Sequence, residues 1–368
     1  MKTKKIIAIF FSLGMGCDLW HKKGLISKNL PYFRELIEEF GEIYLFTFDY
    51  KQDLSFLKEP GIKVFPMPVR LPNVLYALIM PFFYLGELKK ASLLHTVQMS
   101  GAIPALVAKF LLHKPLLLQC GYSWSKFARY AKESFLRVFL IDIIERTAFR
   151  NADLIIVTEK SQAEFALRFN KRNKVLVLPN SIDPEKFSPK PSFKTNKKVV
   201  FIGRLTEQKN LFNLLEAISL IKDLELDIIG SGEQEGPLKQ FAKSIEASIN
   251  FLGDVSNERI ANELPKYNAL LLPSFYEGDP KVIIEAMACG VPVVATRVVG
   301  TKELIEDRVT GLLCGLSSKD IAGALKTVLE DKGLASNLSK NAREYVLLHR
   351  NFNINAKRQI EVTRSLLR

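Results

Sequence analysis

Pro273-Ser274-Phe275-Tyr276-Glu277-Gly278-Asp279-Pro280-Lys281-Val282-Ile283-Ile284-Glu285-Ala286-Met287-Ala288-Cys289-Gly290-Val291-Pro292-Val293-Val294-Ala295-Thr296 reads as loop, helix, turn and strand in immediate succession. The apolar run Leu270-Leu271-Leu272 before it is a strand. Gly278 can take the positive φ of a tight turn. Pro280 suits the first turn of a helix, where its missing N–H is not needed. Residues 282–288 form an apolar helix that Cys289-Gly290 ends, and 291–295 a buried strand. A loop that leads into a helix presents unpaired backbone N–H groups, which favour an anionic or hydroxyl-rich ligand. Glu277 lies in that loop and Glu285 in the helix. Glu285 on a solvated helix face would be unremarkable. Its neighbours, however, are apolar on both sides, and a charge in a buried helix needs a partner. That favours Glu285 as a ligand contact.

The same alternation runs through the chain. In the first half, apolar runs at 6–11, 43–48, 62–65, 93–96, 116–119, 154–158 and 175–178 are near-continuous, as strands covered on both faces are. Helical patterns at 25–39, 103–112, 124–149 and 160–169 separate them. The second half repeats the logic. Its strands are 199–202, 226–229, 249–252, 270–272, 291–295 and 311–313, and its last helix, 353–367, is basic. Alternating strands and helices predict α/β architecture with doubly wound parallel sheets. Turn formers at 179–184 precede a proline-, lysine- and serine-rich linker at 188–198, which puts the domain boundary at about residue 190. Ligands of such sheets bind beyond the carboxyl ends of the strands.

Composition narrows the classes. The 368 residues suggest about two or three domains. Four scattered cysteines, Cys17, Cys120, Cys289 and Cys314, form no C-x-x-C pair and read as reduced thiols of a cytoplasmic chain. The opening apolar run 6–13 is too short for a signal peptide, and the longest, 74–86, too short to span a bilayer. Of the net charge of +13, residues 1–187 carry +10, from 27 Lys and Arg against 17 Asp and Glu. A basic first half fits an anionic membrane surface on the inner face of the cell membrane, or ordinary solubility. No nucleic-acid recognition motif accompanies it.

Arg204 and Lys209 follow a strand and flank the start of a helix, the placement that suits a diphosphate, although two solvated charges would look the same. Gly203 lets backbone approach a ligand closely. Gly230-Ser231-Gly232 with Gly236 departs from the dinucleotide spacing and reads as a turn that shapes the same pocket. In the first half, Gly14 and Gly16 follow the first strand, and His95 ends another as either a cleft group or a satisfied buried histidine. No His/Cys/Asp cluster has metal-ligand spacing. The segments 72–83 and 122–130 are apolar and aromatic-basic. Each is either core or a surface for a membrane or an oligosaccharide acceptor.

The chain resembles family-4 retaining glycosyltransferases of the GT-B fold. The resemblance rests on Phe201-Ile202-Gly203-Arg204-Leu205 with Lys209, Gly230-Ser231-Gly232, Phe251-Leu252-Gly253, Pro273-Ser274, Glu277-Gly278, Pro280, Glu285-Ala286, 290–295, Gly300, Glu303 and Gly311. It covers the second half almost end to end and the first half more loosely, through Gly14, Gly16, His95 and Ala152-Asp153. It implies two Rossmann-like domains facing across a cleft. Residues 1–190 would bind the acceptor, 191–352 the donor, and the helix from about 353 would cross back. It also implies roles. Arg204 and Lys209 hold the nucleotide diphosphate, Glu285 the ribose hydroxyls, and Glu277 a donor-sugar hydroxyl, helped by the backbone from Gly278 through Asp279 and Pro280 to Lys281. Gly14, Gly16, His95 and Cys120 would face the acceptor side. Transfer from a nucleotide sugar to a glycan or lipid-linked acceptor would retain configuration, need no metal or other cofactor, and serve cell-surface polysaccharide or glycolipid synthesis. Two departures stand out. Cys120 occupies the place of a histidine common in the family, and Gly300-Thr301 replaces a paired glycine. A sugar-nucleotide epimerase of the same fold, or a non-catalytic sugar-nucleotide-binding partner of another transferase, are the alternatives.

Overall fold

A computed structural model describes residues 4–22, 25–52, 54, 56–170, 174–190 and 197–367. The chain forms two compact units, Met1–Pro179 with Ala356–Arg368, and Asn180–Asn355. The strands of the first unit are β1 (Lys5–Phe10), β2 (Gly41–Phe46), β3 (Ile62–Phe65), β4 (Leu93–Thr96), β5 (Leu116–Cys120), β6 (Leu154–Val157) and β7 (Val175–Val177). They pair in parallel in the order β3-β2-β1-β4-β5-β6-β7. Helices α1 (Cys17–Lys22) and α2 (Leu25–Phe40) cover one face. Helices α3 (Asn73–Phe83), α4 (Leu85–Lys90), α5 (Ala102–Leu112), α6 (Trp124–Tyr130), α7 (Phe135–Asn151) and α8 (Lys160–Leu167) follow. Of these, α3, α4, α5, α7 and α8 place buried residues against the other face. Two covered faces explain the near-continuous apolar strands: Ile7, Ala8, Ile9 and Phe10 of β1 are all fully buried.

The second unit holds β8 (Lys197–Ile202), α9 (Leu211–Ser219), β9 (Leu224–Ile229), α10 (Glu235–Ser244), β10 (Ser248–Gly253), α11 (Asn257–Glu263), β11 (Ala269–Leu272), α12 (Lys281–Ala288), β12 (Val293–Thr296), α13 (Val299–Leu304), β13 (Leu312–Cys314), α14 (Ser318–Glu330) and α15 (Lys332–His349). Its parallel sheet runs β10-β9-β8-β11-β12-β13. The last helix, α16 (Phe352–Leu366), begins in this unit and ends in the first, where Ile360 joins the core and Arg364 pairs with Glu39 at 2.8 Å. In both sheets the order reverses beside the first strand, between β1 and β4 and between β8 and β11. The loops after those strands flank the crevice where ligands of open α/β sheets bind.

Three readings differ from the structure. The units divide at Pro179/Asn180 rather than near 190. Asn180 bonds to Asp279, Ile182 bridges to Asn351, and Phe187 lies in the second core, so the segment before the linker already belongs to the second unit. Residues 191–196 of that linker lie outside the described residues. The helix expected over 124–149 is two helices. Lys132 takes a left-handed φ of 53°, a turn without glycine or proline, and the pair packs as a hairpin. The buried Glu145 of α7 holds it there by accepting from the amides of Trp124 and Ser125 and the hydroxyls of Ser123 and Ser125. Gly278 is not a left-handed residue, whereas Gly290, with φ of 66°, is. Gly290 N–H donates to the Met287 carbonyl at 3.0 Å and Val291 N–H to that of Ala286 at 2.9 Å, the paired bonds that stop a helix at glycine.

Candidate functional site

Two loops at the β8/β11 reversal build the site. The first, 203–210, leaves β8 and turns through a short 3-10 stretch, Glu207–Lys209. Asn210 then takes a left-handed φ of 54°, and its amide donates to the carbonyls of Pro273 and Leu316 at 3.1 and 3.0 Å. The second, 273–280, leaves β11. Phe275 N–H donates to the Gln208 carbonyl and the Gln208 side chain to that of Tyr276, both at 2.8 Å. These reciprocal bonds clasp the loops together across a sequence gap that no local pattern reveals.

The clasp brings Lys209 Nζ to 2.5 Å from Glu277 Oε1, with the side chains 12% and 8% exposed. Ser274 Oγ donates to the same oxygen at 2.6 Å. Arg204 stands on the first loop with its side chain exposed and no ion pair among the described residues. Lys281 opens α12, and Pro280 occupies the position before it. Glu285 is 4% exposed on α12, so the sequence argument for a buried rather than a solvated carboxylate holds. A held cation, a free cation and two carboxylates thus stand on or beside the carboxyl ends of adjacent strands, where a diphosphate and hydroxyl groups can be bound together.

Glycines set the loops' spacing. Gly230, with φ of 130°, and Gly232 lie against the carbonyls of Gly203 and Leu205, where any Cβ would collide. Leu205 N–H donates to the Ser231 carbonyl at 2.9 Å. The Gly230-Ser231-Gly232 turn therefore supports the Arg204 loop from beneath. Gly300 likewise lies against the carbonyl of Gly278, leaving no room for a side chain. Thr301 beside it is buried and donates to the Thr296 carbonyl.

Asp279 has a different placement. Its carboxylate forms a buried ion pair with Arg350 at 2.9 Å, the side chains 3% and 6% exposed, and accepts from Asn180 N–H at 2.6 Å. The Asn180 side chain returns a bond to the Asp279 carbonyl at 2.7 Å. Burial pushes the Asp279 carboxyl up from its ordinary range and Arg350 pulls it back. Asp279 therefore anchors the loop through its side chain, and only its backbone is left for a ligand. Arg350 could not be read from the sequence, because its partner lies 71 positions away.

The first unit answers for Gly14, Gly16, His95 and Cys120. Gly16 is required by Asp49, whose carboxylate accepts from the amides of Cys17 and Asp18 at 2.7 and 3.1 Å and would meet any Cβ at 16. Gly14 has φ of 72°, and a Cβ there would come within 2.7 Å of the Asn73 amide. Cys120 is fully enclosed, with the Gln162 amide 3.4 Å from its sulfur, and burial raises its thiol well above the usual range. It sits in the core and not on a cleft wall. His95 is the satisfied buried histidine: its Nε2 lies 3.1 Å from Gln119 Oε1, which also accepts from Gln359 at 2.9 Å.

Burial lowers His95 to about 4. The unfolded chain takes up this proton near pH 6.5. His95 therefore costs no stability above about pH 6.5 and an increasing amount as the pH falls toward 4, up to about 3 kcal/mol. His95→Gln keeps a donor toward Gln119 and should flatten the decline of melting temperature between pH 6.5 and 4. An unchanged slope would contradict this assignment.

Among the described residues no three His, Cys, Asp or Glu side chains are gathered to hold a metal ion. The family model of the glycosyl transferases group 1 matches residues 183–345, and that of glycosyltransferase family 4 matches 33–186. The chain belongs to the group 1/family 4 glycosyltransferases. Within this family it is 31% identical over 249 residues to the GalNAc-alpha-(1->4)-GalNAc-alpha-(1->3)-diNAcBac-PP-undecaprenol alpha-1,4-N-acetyl-D-galactosaminyltransferase of Campylobacter jejuni, a match spanning 66% of each chain, just under two thirds. It is 26% identical to the N,N'-diacetylbacillosaminyl-diphospho-undecaprenol alpha-1,3-N-acetylgalactosaminyltransferase of the same organism, over 94% of this chain and 96% of that one. Sucrose-phosphate synthase from Thermosynechococcus elongatus has the same GT-B fold, with a TM-score of 0.82, 21% identity and 99% of each chain covered.

Proposed function

We propose that this chain transfers a sugar, with retention of configuration, from a nucleotide-diphosphate sugar to a lipid-linked acceptor in cell-surface polysaccharide or glycolipid synthesis, at the cytoplasmic surface of the membrane. The observation that carries the reading is the Lys209–Glu277–Ser274 cluster beside Arg204 at the strand-order reversal. Arg204 and Lys209 take the diphosphate, Glu277 a sugar hydroxyl and Glu285 the ribose. The acceptor oxygen bonds to the anomeric carbon as the carbon–phosphate oxygen bond breaks, and the departing diphosphate takes the acceptor's proton. The two cations stabilise the charge that develops on that diphosphate without a metal, so catalysis is electrostatic and positional. Both Campylobacter relatives are named for acceptors on undecaprenol diphosphate, which supports a lipid-linked acceptor here.

The test begins with a thermal-shift screen of nucleotide sugars, since a ligand of the folded state raises its melting temperature by mass action. The stabilising donor is then incubated with polyprenyl-diphosphate-linked saccharides, with and without a chelator. Nucleotide release that depends on acceptor and survives chelation, with a product of unchanged anomeric configuration, is the expected result. An altered sugar nucleotide without release would identify an epimerase. Binding without turnover on any acceptor would identify a non-catalytic partner.

A further inference from the structure

Helices α3, α5 and α7 cover the same face of the first sheet, and α5 packs against both others. Their inner sides are core: Tyr76, Ala77 and Met80 of α3, Ala102 and Ala105 of α5, Ala148 and Phe149 of α7. Their outer sides are not polar. On α7, Phe135, Leu136, Phe139, Leu140 and Ile143 recur at helical spacing and are all exposed, Phe135 by 85%. On α3, Val74, Leu75, Leu78 and Phe82 are exposed, and residues 71–86 contain no charged side chain. Isolated exposed apolar residues are ordinary, but two helices of one unit that both pack on α5 and carry apolar outer stripes mark an interaction surface.

We infer that this face seats the first unit on an anionic lipid bilayer, an inference that rests on the lipid-linked-acceptor reading above. The surroundings of the two stripes select the occupant. Residues 66–90 carry Arg70, Lys89 and Lys90 against Glu87 alone, and residues 124–140 carry Lys126, Arg129, Lys132 and Arg137 against Glu133 alone. Arg70, Lys89, Lys90 and Lys132 make no ion pair among the described residues. Exposed apolar side chains with unpaired cations on the same or neighbouring stretches of chain suit an interface that is hydrocarbon within and anionic at the headgroups. A second copy of the chain would bring the same cations face to face. No helix of the described residues is long and apolar enough to cross a membrane, so the contact is with the surface.

The full chain is floated with vesicles of phosphatidylcholine alone and with added phosphatidylglycerol. Binding to the mixed vesicles is expected, weaker to phosphatidylcholine and weakened by salt. The pairs Leu136→Ser/Phe139→Ser and Leu78→Ser/Phe82→Ser, on exposed positions, should each lower partitioning on the order of tenfold or more at unchanged melting temperature. Equal flotation of wild type and both pairs would overturn the inference. So would a concentration-dependent dimer in sedimentation that the same substitutions abolish. Donor-dependent transfer to a short-chain, water-soluble acceptor is measured in parallel. Variants that keep this transfer but lose it on vesicle-borne acceptor support the docking role. If wild type transfers to no acceptor, the functional reading fails, and flotation still decides the docking surface.

Discussion

Lys209→Ala is expected to lower transfer by about 10²–10³-fold, the loss typical of removing one preorganised charge-stabilising group. Lys209 is held within the site by Glu277, which is held in turn by Ser274, so the ammonium is positioned before any substrate arrives. If it stabilises the charge that grows on the departing diphosphate, kcat and kcat/KM fall together. Glu285→Ala should differ in kind. A carboxylate that binds ribose hydroxyls equally in ground and transition states acts mainly through donor KM. Far-ultraviolet circular dichroism checks that both variants keep the fold. Wild-type kcat/KM for the donor in both would remove Lys209 and Glu285 from the site.

The second large effect is structural and begins at Arg350. Arg350→Met leaves the Asp279 carboxylate buried with the Asn180 N–H still donating to it, and stranding one charge of a buried pair costs about 3–5 kcal/mol. Denaturant unfolding of the second unit should register this loss, and the Asn180 amide should exchange faster with solvent. Replacing both residues, Arg350→Met with Asp279→Leu, should recover much of the loss, because the pair's own desolvation cost disappears with it. The network also joins Asn180, Ile182 and Asn351, near the points where the chain enters and leaves the second unit, to the loop that carries Gly278 and leads into Lys281 of α12. Donor KM should therefore rise in the single variant. A destabilisation below about 1 kcal/mol would mean that water already screens the pair, as at exposed salt bridges.

Much of the fold was open to reading because parallel sheets covered on both faces leave a plain record. Most strands are largely apolar runs between amphipathic segments, and each of the thirteen strands of the two sheets overlaps a stretch expected as a strand. The α6–α7 turn escaped because Lys132 supplies the left-handed residue in place of a glycine, and Glu145 makes the break stable from a distance. Helix α3 was visible only as an apolar segment: its outer side lacks the polar positions that give a surface helix its period.

The residue types of the site were legible for a similar reason. Gly203, Arg204, Lys209 and Glu277 sit in the loops that leave strands and Glu285 in the helix that follows one of them, and the chain marks those boundaries locally. Which of these groups touch was not legible. That Lys209 meets Glu277, that Asp279 turns to Arg350, that Gly300 yields to the Gly278 carbonyl, and that Cys120 and His95 are enclosed all depend on pairs far apart in the chain. Hydrophobic period and turn chemistry act over a few residues, so two doubly wound sheets and the residue types of the candidate loops could be read along the chain. Burial and charge pairing act through space. Only the tertiary structure could decide which of those charged groups remain available to a ligand and which are committed to holding the loops in place.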